Sequence, residues 1–142
     1  MALLDYKTDV VDKWYAVLAT DSAGAAVRAA LGSGASSIIP ADDLEVGSLP
    51  ARPLLAYRAG SVIGSPGWDV QRATLTWWLY DDVLYKYARI NALIALIQAA
   101  YPADTLVIPF CEHRQLAITA ERPDTTLGNR PARAIPYQVS WR

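Results

Sequence analysis

The chain contains one cysteine, Cys111, one histidine, His113, and one methionine. A lone thiol excludes an internal disulfide. Cys111 and His113 together supply two soft ligands, so a zinc site built from Cys and His cannot be completed. The scarcity of cysteine fits a reducing compartment. An excess of charge of one sign is also missing: 13 Lys and Arg against 14 Asp and Glu leave a net charge of -1. The sum of charges therefore gives no drive toward nucleic acid or an anionic membrane. The longest apolar stretch, INALIALIQAA at residues 90–100, falls short of the ~20 residues a membrane-spanning helix needs. The opening MALLDYKTDVVDKW has early acids and no basic region before an apolar core, so no secretory signal is expected. Folding in a cytoplasm is expected.

What the chain does have is apolar and aromatic surface. Of 142 residues 53% are hydrophobic and 19% charged, with five Trp and eight Tyr. That length suits one domain, residues 1–142, with one core. The aromatics exceed what one small core needs, so a partner is expected to bury part of them.

Leu3, Tyr6, Val10, Trp14 and Val17 recur at three- and four-residue intervals and predict an opening helix ending near Thr20. Asp21 or Ser22 is placed to cap a second helix over 23–31, stopped by Gly32 in a left-handed conformation. Residues 32–53, rich in Gly, Ser and Pro, form a long loop with one short strand at 37–39. A strand is expected over 54–64, turning at Gly60 or Gly64, and a long one over 68–80. Asp81 and Asp82 are read as the cap of a long helix over 82–100 with the stripe Val83, Tyr87, Ile90, Ile94 and Ile97, widened by Leu84, Leu93 and Leu96. Alternation predicts strands over 114–121 and 134–142, separated by a polar segment at 122–133. The order argues for an α+β fold: a mainly antiparallel sheet packed against one long helix, with an N-terminal helix pair and two long loops.

Catalytic chemistry finds little support. Cys111 and His113 sit two apart on one strand, side by side without an orienting third group, and a buried thiol beside a surface histidine explains them. Asp42, Asp43 and Glu45 lack the spacing of a calcium loop and read as solvated loop charge. The glycines match no phosphate-binding fingerprint. Arg122, Arg130 and Arg133, with Arg142 at the terminus, could line a basic edge facing phosphates, but without interleaved aromatics they read as an ordinary solvated loop. No cofactor or metal is expected.

The stretch TLTWWLYDD at residues 74–82 raises a different question, because it has a large aromatic on both faces. Leu75, Trp77 and Leu79 form a core face. Arg72, Thr74, Thr76, Trp78 and Tyr80 form an amphipathic second face suited either to another subunit or to a helix of the same chain.

These features, in order, resemble one family. They are the helix pair VVDKWYAVLATDSAGAAVRAALG, the extended loop, the strand PLLAYRAGSVIGSPGWD, the strand-helix unit VQRATLTWWLYDDVLYKYARINALIALIQAAYP, and the closing RQLAITAERPDTTLGNRPARAIPYQVSWR. Together they resemble the tail terminator, or tail completion, proteins of long-tailed bacteriophages and the related small neck proteins, over nearly the whole chain as a pattern of elements. The resemblance implies an α+β fold and a non-enzymatic virion protein of the tail or neck, assembled in the host cytoplasm. It implies a homo-oligomeric ring, commonly a hexamer, that caps the tail tube, ends tube polymerisation and meets a head-side connector. DNA would pass through the lumen without sequence readout. The family has no catalytic residues to carry over. On this sequence's own chemistry, Trp78, Tyr80, Thr76 and Trp68 are the candidate subunit contacts, and Asp42, Asp43, Glu45, Arg122, Arg130 and Arg133 the candidate contacts to neighbouring rings or the lumen. The rivals are a head-closure or connector ring of the same machine, and a small-molecule-binding or hydrolytic α+β domain using Cys111 and His113.

Overall fold

A computed structural model describes residues 4–45, 47–65, 68–102 and 108–142, with the side chains of Ser65, Trp68 and Asp69 outside the described set. In chain order, a π-helical turn, Tyr6–Val11, runs into α1 (Asp12–Ala19), and a 3₁₀ turn, Ser22–Gly24, into α2 (Ala25–Ala30). Then come β1 (Ile38–Pro40), β2 (Leu54–Ala59), β3 (Ile63–Ser65), β4 (Trp68–Tyr80), a 3₁₀ turn at Val83–Tyr85 and α3 (Ala88–Ala100). β5 (Glu112–Gln115), β6 (Arg122–Asp124) and β7 (Arg130–Trp141) complete the chain. The architecture is α+β: among the described residues, three α-helices and a mixed, open seven-stranded sheet ordered β1-β2-β4-β7-β5, with β3 also on β4 and β6 on β7. All pairings are antiparallel except β1 with β2.

Alternation along β4 sets which side of this sheet becomes core. Leu75, Trp77 and Leu79 are fully buried, and the register places them opposite Tyr137, Ile135 and Arg133 of β7. α1 and α3 lay Trp14, Leu18, Ile90, Leu93, Ile94 and Ile97 into the same cluster. Trp77 stacks on Trp14 with ring centroids 4.6 Å apart. Its Nε1 donates to Tyr101 Oη at 3.2 Å, and that hydroxyl donates to the Trp14 carbonyl at 2.6 Å. A buried Trp removes ~200 Å² from water, roughly 5 kcal/mol of transfer free energy at ~25 cal/mol per Å².

Several expectations need correcting. The opening stripe is right where it is described, with Val10, Trp14 and Val17 buried, but the helix begins with a π-turn; Leu3 lies outside the described residues. The expected helix over 82–100 is shorter, because Lys86 adopts φ 52° and ψ -122° and separates the turn at Val83–Tyr85 from α3. Val83 and Leu84 are thus off the helical stripe and exposed. The strand expected at 114–121 instead occupies Glu112–Gln115. Beyond it Leu116 N–H still donates to the Pro136 carbonyl, but Pro136 has no N–H to return, so the regular ladder ends. The polar segment at 122–133 is a paired unit, β6 with the start of β7, joined by a 3₁₀ turn and Gly128 in the left-handed region. The edges of the sheet are short: β1, β3 and β6 have three residues each and β5 has four.

Gly32 does end α2's neighbourhood, but for a different reason from the one expected. α2 closes at Leu31 in extended geometry, and Gly32 donates its N–H to the Pro53 carbonyl at 3.1 Å. A Cβ there would stand 2.4 Å from the Ala51 backbone. Gly32→Ala is therefore expected to cost about 1–3 kcal/mol by forcing two backbone segments apart, whereas Gly47→Ala, with open space around it, is expected to be near neutral; urea denaturation of the two variants checks the difference.

Candidate functional site

The far end of β4 gathers most of the charged side chains that pair in this fold. Asp81 is fully buried, and Arg89 from the first turn of α3 clamps it through two bonds, Nε to Oδ2 at 2.8 Å and Nη2 to Oδ1. The Arg89 guanidinium also lies 3.4 Å from the centre of the Tyr85 ring. The Asp81 carboxylate raises the Arg89 pKa above its ordinary value, chiefly through the hydrogen bond. Asp82 is shared by Arg52 Nε at 2.9 Å and Arg130 Nη1 at 2.7 Å. The two aspartates thus do not cap a helix as expected: arginines from three elements take their carboxylates, and Asp82 makes no side-chain cap bond. The knot ties the loop before β2, the end of β4, the start of α3 and the start of β7 into one unit.

Immediately beyond this knot the chain turns its apolar side chains outward. Val83 is 60% and Leu84 82% exposed, with Tyr85 at 42%. A second exposed apolar pair, Val62 at 38% and Ile63 at 57%, follows the turn after β2. Because Ile63 pairs with Arg72 and the Val83–Tyr85 turn follows Tyr80, the two segments lie toward opposite ends of β4. Eight residues at ~3.4 Å separate those β4 positions by roughly 27 Å. Sequence reasoning missed both: Val83 and Leu84 had been assigned to a buried helical stripe, and the Lys86 backbone that redirects them leaves no signal in composition.

The second face of β4 is covered neither by a helix nor left entirely free. Tyr80, at 4% exposure, packs with Leu54, Ala56, Leu127 and Ala132, beneath Ala41, Leu44 and Leu49 of the chain's own loop. Its hydroxyl donates to Asp124 Oδ2 at 3.1 Å. Tyr80 is therefore taken up inside its own chain. Trp78 and Thr76 are half-buried, and the side chain of Trp68 lies outside the described residues.

The loop candidates separate in the same way. Asp42 and Asp43 sit in an exposed 3₁₀ turn, Asp42 4.0 Å from Arg58, and Glu45 accepts from Ser48 Oγ at 3.3 Å. Arg122 is exposed. Arg130 is committed to Asp82, and Arg133 donates to the Thr119 carbonyl at 3.0 Å and Asn91 Oδ1 at 2.8 Å. Those two arginines brace the fold, so neither is the solvated loop charge expected of them.

Cys111 is buried in the main core, and desolvation pushes its thiol up to about 11, away from a reactive thiolate. His113 is half-buried and not a surface histidine. Its ring stacks on Tyr137 at 4.5 Å, and burial lowers its pKa to about 4. Its Nε2, Tyr137 Oη and Trp14 Nε1 are buried without partners among the described residues. Among the described residues no group of three or more His, Cys, Asp or Glu is placed to hold a metal ion, and no helix is long and apolar enough to cross a membrane.

Two variants probe these groups. Arg89→Ala leaves the Asp81 carboxylate buried without its cation and is expected to cost about 3–5 kcal/mol in chemical denaturation, against less than ~1 kcal/mol for Lys7→Ala, which loses an exposed pair with Asp12. His113 is depressed in the folded state, so the unfolded chain binds the extra proton between pH 6.5 and about 4. Its contribution to stability is whole above pH 6.5 and falls by about 3 kcal/mol as the pH drops to about 4. His113→Phe, which keeps the stack on Tyr137, is expected to flatten that slope in thermal melts, and an unchanged slope would assign it to other groups. Compared with models of known protein families and with curated proteins, the chain matches none.

Proposed function

We propose that the chain is a non-enzymatic structural subunit that closes into a ring of roughly six copies, in the manner of a phage tail terminator. The observation that carries this reading is the pair of unlike exposed apolar segments, Val62 with Ile63 and Val83 with Leu84, toward opposite ends of β4. A head-to-tail ring needs two different patches on each copy, each meeting the other on a neighbour. A two-fold dimer needs one self-complementary patch. The knot at Asp81 and Asp82 supports the reading by holding the second segment against rigid structure. The buried, protonated thiol of Cys111 favours it over hydrolysis.

In this reading the ring caps the end of a tail tube, ends its polymerisation and presents its other side to a head-side connector, with DNA passing through the lumen. A head-closure ring of the same machine uses the same geometry, and the position of the protein in a cryo-EM reconstruction of the particle decides between the two.

The test is oligomeric state by native mass spectrometry over a concentration series. Wild-type protein is expected to form a closed ring; Ile63→Glu and Leu84→Glu alone are each expected to be monomers. Mixed, the two variants retain one intact patch each and are expected to give a dimer that grows no further. A wild-type monomer at every concentration, or a dimer that neither substitution disturbs, overturns the proposal.

A further inference from the structure

The half of the sheet's second face that the loops leave bare has a composition of its own. The register places Arg72, Ser140 and Glu112 in one row across β4, β7 and β5, and Thr74, Gln138 and Arg114 in the next. Arg58 of β2 stands beside Thr76 one row further. All three arginines are exposed. Arg114 donates to Gln138 Oε1 at 2.8 Å, while Arg58 has only the loose 4.0 Å approach of an exposed Asp42. A depression of about 260 Å³ opens between Glu112, Arg114, Gln138 and Ser140.

The charge is unevenly distributed. Three of the 13 basic residues and two of the 14 acidic residues, Glu112 and Asp42, border this surface, so ten basic and 12 acidic residues remain elsewhere. An acidic chain therefore presents a net positive sheet surface. At ~4.8 Å between strands and ~6.8 Å per residue pair, the three arginine Cα positions stand roughly 12–16 Å apart. That is close to the ~12 Å width of a duplex major groove, a spacing suited to guanidinium groups contacting backbone phosphates on both of its sides. The rows contain no aromatic ring and Ile63, opposite Arg72, marks their apolar border. A protein interface would place apolar and aromatic groups at its centre, and a single strand would want rings to stack on. Arginines set among hydroxyl and amide groups suit phosphate contact without base readout.

We infer that Arg58, Arg72 and Arg114 form a phosphate-contacting surface for duplex DNA, held without sequence preference. This deepens the ring reading by naming the wall that meets the DNA, and the contacts exist at any oligomeric state. The probe is a fluorescein-labelled 30-base-pair duplex, titrated by anisotropy over a salt series, with native mass recorded on the same samples. Binding is expected to weaken with salt with a log-log slope near -0.9 per phosphate neutralised, about -2.7 for three contacts of one copy. The Arg58→Gln/Arg72→Gln/Arg114→Gln triple variant is expected to lose at least tenfold in affinity and most of that slope, while Lys7→Gln/Lys13→Gln, at two exposed positions of the opening helix, changes neither. Affinity and slope unaltered by the triple variant, equal losses in the control, or tighter binding to polyglutamate than to DNA would overturn the assignment. A ring without DNA binding removes the surface and leaves the ring; a monomer that binds DNA removes the ring and leaves the surface.

Discussion

Trp77 stacked on Trp14 holds the two layers together. A tryptophan from the middle of the longest strand meets one from the first helix. Tyr101, just past α3, closes the contact by accepting from one indole and donating to the other residue's backbone. Three segments far apart in sequence are fixed by one aromatic stack and two buried hydrogen bonds. Tyr15, Tyr57, Tyr137 and His113 extend the cluster around it. The abundance of aromatics that suggests a buried partner surface is largely consumed here, inside the monomer. Their hydroxyl and N–H tips explain why some polar atoms lie so deep.

The long strand was legible in detail, and the reason is geometric. Alternation is a strict two-residue rule on a pleated strand, so Leu75, Trp77 and Leu79 could be assigned to the core from spacing alone, and the bounds of β4 followed from composition. The short strand after Gly32 and the turn after β2 were readable from Gly and Pro punctuation in the same way. What spacing could not supply was the occupant of the other face. Tyr80 has the same neighbours in sequence whether a second subunit or its own loop covers it, and the covering groups, Leu44, Leu49 and Leu127, sit in stretches that read as polar. Long-range closure of that kind leaves no local periodicity.

Charged residues misled for a related reason. Asp81 and Asp82 stand where a helix cap belongs, and local chemistry favours that reading. Their arginine partners come from positions 52, 89 and 130, and three convergent guanidinium groups outweigh a cap bond worth about 1 kcal/mol. Once the carboxylates are taken, the helix they would have started is delayed to Ala88, and the intervening apolar residues turn outward. Arg130 and Arg133 were drawn from the same stock of loop charge and are likewise spent on holding β7. Arg58, Arg72 and Arg114, on the strands, stay exposed.

The shortness of the edge strands bears on how an open sheet avoids pairing with its neighbours. Three- and four-residue edges, broken by Pro40 on β1 and Pro123 on β6, offer too few unpaired amides for a neighbouring chain to add a strand. Open sheets with long flat edges template their own fibrils. Among the described residues, the short edges here leave side chains rather than rows of backbone amides for a neighbouring chain to meet.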